Sequence, residues 1–264
     1  MLLNGGVHQQ HSPDKPDDGP RRPDHGAAEP IEPGSARWWA ERLAGNRTRR
    51  PRAGGLSTTR IVDAALEVLR AEGVEALTVR AVADRLDTTS ASLYRHIASR
   101  DELMALMADH VLGDIRVTPT GRGWRADVEA LMGELRRVLL AQPLPASAGR
   151  SGSGYGPNAL RLIDAALGMF LEAGLRTRQA AFAATTMIQF VAGVVDIERS
   201  AFGRGARGAV RADGFDQLLT VLPAEQFTAL RAAGEAYLWM PAEEVFAYGM
   251  SRFLDGIAGQ LPGN

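Results

Sequence analysis

The side chains best able to do chemistry crowd into one short stretch: Thr88, Thr89, Ser90, Ser92, Tyr94, Arg95, His96 and Arg100. They are hydrogen-bonding or cationic, and the first four are short. No Gly-x-Ser-x-Gly elbow, metal-ligand spacing or phosphate-cradling glycine loop accompanies them. Their chemistry is therefore expected to be recognition, and no catalytic residue, cofactor or metal site is assigned. A helix that enters a major groove roughly 12 Å wide needs short hydrogen-bonding side chains in its N-terminal half. It also needs phosphate-binding groups at its edge. Thr89, Ser90, Ser92, Tyr94, Arg95 and His96 together supply both. Leu93 and Ile97 are spaced to face inward and pin the helix to its own domain.

A second cluster precedes this region: Arg47, Arg49, Arg50 and Arg52. It reads either as a solvated charge run or as an arm entering a flanking minor groove. The formal net charge of the 264-residue chain is −1, so no global field favours a polyanion. Residues 56–118 hold seven Arg against ten acids, so phosphate attraction is expected to concentrate in the arm. Of the 30 basic residues, Lys15 alone is lysine, which fits a GC-rich coding bias rather than a function.

The elements that position these groups read as helices throughout. Ile61, Ala64, Ala65, Val68 and Leu69 fall at i, i+3, i+4, i+7 and i+8, with Ser57 to Thr59 as caps and Gly73 as stop. Thr78 caps a second helix through Val82 and Leu86. A third runs from about Thr89 to His96. A fourth begins at Ser99, with Glu102 completing a capping box. Further helices are expected near Trp124–Ala141, Pro157–Ala173, Arg178–Ala201, Pro223–Leu238 and Pro241–Ile257. Glycine-rich loops lie at Gly149–Gly156 and Gly203–Gly214. No β-type alternation of useful length appears, so the fold class is all-α.

The apolar share is 45 % and Cys is absent, which leaves ample core material and excludes disulfide scaffolds and thiol chemistry. No apolar run was found that approaches a membrane span of ~18–20 residues, and no secretory pattern opens the chain. A cytoplasmic protein without membrane partners is expected. Residues 1–46 are rich in Pro, Gly and charge and are expected to be a disordered extension. The exception is a short amphipathic turn around Trp38 and Trp39, either a small docking patch or a partner-binding element. Residues 47–118 are expected to form a basic arm and helix-turn-helix domain, and 119–264 a second, helical domain.

The run ALEVLRAEGVEALTVRAVADRL, followed by SLYRHIASRDEL, resembles the helix-turn-helix of the tetracycline-repressor (TetR) family of transcription factors. Weaker similarity continues through GWRADVEALMGELRRVLL, FLEAGL, VVDIERS and AEEVFAYGMSRFLDGI. The resemblance implies a three-helix DNA-binding domain and a C-terminal ligand-binding domain. It also implies homodimerisation through the last long helices, a pseudo-palindromic double-stranded operator and release by a small effector. By the same resemblance Arg80 reads a guanine or a phosphate, and Thr78, Tyr94 and His96 bond phosphates. Thr89, Ser90 and Ser92 face base edges, Arg95 lies where base and phosphate contact are both open, Arg100 anchors the start of the fourth helix to the DNA backbone, and Arg49, Arg50 and Arg52 belong to the arm.

For the effector, the resemblance sets Gln189 where the tetracycline repressor has a magnesium-linked His. Ala165 stands at an amide position, Met169 at an aromatic one and Arg116 near a further His. Glu243 falls at an acidic position contributed by the other subunit. The polar grip on tetracycline is mostly missing. The expected pocket combines Met132, Met169 and Phe190 with Arg116, Thr186, Gln189 and Glu243, and suits a flat or polycyclic, mostly apolar molecule. Repression is the favoured reading. Activation with the same DNA module, or a helical enzyme or scaffold, are the alternatives.

Overall fold

In a computed structural model, the description covers residues 31–48, 55–142, 144, 155–202, 217–223, 225–238 and 240–261, all within the unit Ile31–Asn264. Arg49, Arg50 and Arg52, and nearly all of both glycine-rich loops, lie outside the described residues. No strand occurs among the described residues.

The first helix among the described residues is α1 (Ala36–Thr48), where a short turn outside the folded part was expected. Its start is fixed by the Ser35 hydroxyl, which accepts the Trp38 N–H, and by an i,i+4 pair between Arg37 and Glu41. Trp39 is buried in the core and Trp38 packs edge-on against it, so this pair docks on the chain itself. Burial of two aromatic rings offsets the ordering entropy that composition alone left uncompensated.

The helix-turn-helix follows as α2 (Thr58–Glu72), α3 (Val79–Arg85) and α4 (Ser90–Leu93). Ser57, Thr78 and Thr89 each cap their helix through the side-chain oxygen. All five predicted core positions of α2 are buried. The turn between α3 and α4 places Asp87 at φ +50°, a left-handed conformation that a short polar residue tolerates. The recognition helix is one turn long, and residues 94–96 continue it as hydrogen-bonded turn rather than helix.

α5 (Arg100–Gly113) links this module to the C-terminal helices. Ser99 caps it, but Glu102 reaches one residue further back than a capping box does, accepting the Ala98 N–H at 2.6 Å. α6 (Trp124–Ala141), α7 (Pro157–Glu172) and α8 (Thr177–Phe202) match the predicted helices within a residue or two. α7 ends in a Schellman arrangement: Gly174, at φ +103°, donates to Leu171 O, and Leu175 donates to Phe170 O. α8 packs against α6, α7 and α11 (Ala242–Ala258) at the centre of the C-terminal half.

Two expectations are corrected. The single helix over Pro223–Leu238 is replaced by α9 (Thr228–Ala233) and α10 (Glu235–Leu238). Phe227 at φ +59° and Gly234 at φ +47° interrupt the helical path. Residues Thr177–Arg199 of α8 are, by length and composition, apolar enough to cross a membrane. An alanine-rich core helix passes the same test, and α8 sits here among other helices.

Candidate nucleic-acid interface

The helix-turn-helix sorts its side chains into two populations. Leu93 and Ile97 are essentially inaccessible, while Tyr94 beside them is 55 % exposed. Thr78, Arg80, Thr89, Arg95 and Arg100 are exposed, and Ser90, Ser92 and His96 are half-buried. The predicted polar residues therefore surround the outward side of one short element, and its apolar residues anchor it. Thr89 Oγ1 lies 3.0 Å from Ser92 Oγ, and the Arg95 guanidinium donates to Ser92 Oγ at 3.1 Å. This chain fixes three of the polar groups relative to one another, so their rotamers are partly set before any partner arrives.

One of the predicted cations has other work. Arg100 Nε donates to Leu77 O at 3.1 Å and its Nη2 to Val74 O at 3.3 Å, so it ties α5 to the loop before α3. Arg80 stands 3.9 Å from Asp84 in a pair too exposed to hold it firmly. Arg85 is engaged by Glu67 at 2.7 Å.

Sequence reasoning missed the joints that hold this interface. Arg42 of α1 is ion-paired with the buried Glu102 and donates to Thr58 Oγ1 and to His96 O. The Trp pair was the available signal, since Arg42 lies three and four residues beyond it. On α5, Asp109 accepts the backbone N–H groups of Asn158 and Ala159, and His110 Nε2 lies 3.0 Å from Asp63 on α2. Burial pushes the Asp109 carboxyl above its ordinary value, opposed by those N–H donors, the Asn158 amide and nearby His110. His110 thus joins α5 to α2.

The seven residues expected around an effector occupy different settings. Met132 is fully buried, as is Met187, so both fill the core. Met169 is half-buried against that core, and Phe190 stacks on Phe246 at 5.7 Å. Gly249 permits that stack, because a Cβ there would come within 2.6 Å of Phe190 Cζ. Thr186, Gln189 and Glu243 are exposed on α8 and α11. Arg116 lines an open groove of about 460 Å³ with Arg161, where α5 leaves for α6. Among the described residues no group of His, Asp and Glu could hold a metal ion.

Comparison with known proteins agrees with this geometry. Residues 61–107 match the family described as "Bacterial regulatory proteins, tetR family", and residues 118–261 match "Tetracyclin repressor-like, C-terminal domain". A curated HTH-type transcriptional regulator from Saccharopolyspora erythraea is 36 % identical over 144 residues, which cover 54 % of this chain and 61 % of that protein. The HTH-type transcriptional repressor DrrR1 of Streptomyces coeruleorubidus is 28 % identical over 79 % of this chain and 81 % of its own. The solved structure of ActR, a TetR family protein of Streptomyces coelicolor, in complex with actinorhodin superposes with TM-score 0.69. It is 31 % identical and covers 78 % of this chain and 98 % of that one. The chain belongs to the tetracycline-repressor family of ligand-responsive, DNA-binding transcriptional regulators. α1 lies outside both matched spans.

Proposed function

We propose that this chain is a cytoplasmic repressor that binds a pseudo-palindromic operator as a homodimer and is released by a small, mostly apolar effector. The observation that carries the reading is the split between inaccessible Leu93 and Ile97 and exposed Thr89, Tyr94 and Arg95 on one rigidly capped turn. Thr89, Ser90, Ser92 and Arg95 are the proposed base-edge readers. Thr78, Arg80, Tyr94, His96 and Arg100 are the proposed phosphate contacts, supplemented by the arm at Arg49, Arg50 and Arg52. The role is regulatory rather than catalytic.

Dimerisation is supported by apolar side chains left outside the protomer on the last long helices: Phe182 and Ile197 of α8, Val245 and Tyr248 of α11. Ala180, Ala183, Ala184, Phe246 and Leu254 are buried within the protomer. A two-fold pair through these faces would set two recognition helices ~34–36 Å apart, one turn of the duplex.

An effector that lowers operator affinity 100-fold needs ~2.7 kcal/mol of differential binding between two helix arrangements. The half-buried Met169 and Phe190 support an apolar effector, and the related protein ActR has been solved in complex with actinorhodin. Sedimentation of the full chain with and without duplex DNA tests the reading. It predicts a two-chain particle that gains one duplex, with an affinity that falls steeply with salt. A monomer indifferent to DNA would overturn it.

A further inference from the structure

We infer that α1 is a part of the DNA reader and that Arg42 is its positioning residue, an inference that rests on the DNA-binding reading above. Arg42 and Glu102 form an ion pair whose side chains are only 16 % and 7 % exposed. From that pair, Arg42 Nη2 donates to His96 O at 3.2 Å, and Glu102 Oε2 accepts the Ala98 N–H at 2.6 Å. The two bonds bracket Ile97, the buried residue that anchors the turn following the recognition helix. Arg42 also donates to Thr58 Oγ1 at 3.2 Å, which ties the same joint to the first turn of α2.

The need for such a joint follows from length. α4 has four residues, too few for a helix to hold its own shape in water. Its orientation is borrowed from its cap, from Leu93 and Ile97, and from whatever grips the turn at 96–98. Arg42 supplies that grip from outside the helix-turn-helix. It is itself preorganised, lying 5.3 Å over the Trp38 ring, with Trp39 buried beside it. Just before α1, Gly34 approaches α5 so closely that a Cβ would stand 3.3 Å from Ala105 Cβ. The N-terminal part of α1 is therefore seated before Arg42 reaches across.

A residue that aims base readers differs from one that merely attracts phosphate. Loss of aim weakens binding to a preferred sequence and leaves sequence-independent binding nearly intact. The test uses the full chain, a duplex that the wild type enriches from a random-sequence pool, and an unrelated duplex of equal length. Arg42→Ala is expected to weaken binding to the enriched duplex about tenfold, the size typical of a lost charged hydrogen bond, with less than a twofold change on the unrelated one. Arg42→Lys keeps the charge without the fork and falls between. The Ala98 amide is expected to exchange its hydrogen faster in both variants. If Arg42→Ala does not fold, Arg42→Lys carries both readouts. Unchanged discrimination between the duplexes together with unchanged Ala98 exchange would overturn the inference. Failure of the wild type to enrich any duplex would instead overturn the DNA-binding reading.

Discussion

Asp109 and Asn158 hold each other in both directions. The Asp109 carboxylate accepts the Asn158 backbone N–H at 3.1 Å, and the Asn158 side-chain amide donates to the Asp109 backbone carbonyl at 3.1 Å. The neighbouring residue, His110, lies 3.0 Å from Asp63. Two consecutive residues of α5 thus attach it to the first turn of α7 and to α2. A movement of α7 relative to α5 must either carry α2 with it or break one of these two joints, which is how a packed two-state element transmits a shift.

The Asp109 joint has a pH signature. Its carboxyl is raised above the ordinary value, chiefly by burial, so the folded protein binds this proton more tightly than the unfolded chain. The resulting stabilisation is complete below the unfolded value of 3.8 and is lost as pH rises through the folded one. The stability advantage of wild type over Asp109→Asn should therefore decline with rising pH across the acid range and then level. Denaturant melts of both proteins at several pH values check this; an advantage that grows with pH contradicts it.

Neighbouring residues on the recognition turn should separate folding from binding. Leu93→Ala removes a fully buried side chain and should cost about 2–5 kcal/mol of stability. Tyr94→Phe removes one exposed hydroxyl, leaves the melting temperature unchanged and weakens DNA binding severalfold, by about 0.5–1.5 kcal/mol. Thermal melts paired with DNA titrations of the two variants decide the matter.

The C-terminal half contains a buried ion pair, Arg136 with Glu198, at 2.9 Å. The Arg136 guanidinium also lies 5.1 Å over the Phe246 ring. Its Nε has no hydrogen-bond partner among the described residues, so the site already carries an incompletely satisfied cation. Removing the acid alone should be severe: Glu198→Ala is expected to cost about 3–5 kcal/mol, and Arg136→Met with Glu198→Leu far less. Urea unfolding of the single and double variants gives both numbers.

Much of this was legible in the sequence because local rules agreed with the fold. Ser57, Thr78, Thr89 and Ser99 announce four helix starts, and the five apolar positions of α2 repeat with helical period. What stayed hidden depends on contacts distant in sequence. α1 looked too polar and proline-flanked to fold, yet Trp39 is buried and Arg42 finds Glu102 sixty residues away. The break at Gly234 was masked by a helical composition on both sides. Around the expected effector site, Gln189 is exposed while Met187, two residues before it, is buried, because a helix turns about 100° per residue.

The outward presentation of Thr89, Ser90 and Ser92 is tested most directly by sequencing the duplexes that the full chain retains from a random pool. The account predicts an inverted repeat whose half-sites lie about one helical turn apart, with enrichment lost in a Thr89→Ala/Ser90→Ala/Ser92→Ala variant that stays folded at the binding temperature although loss of the Thr89 cap lowers its melting point. A pool that stays random with the wild type, or a variant that enriches the same repeat equally well, would contradict it.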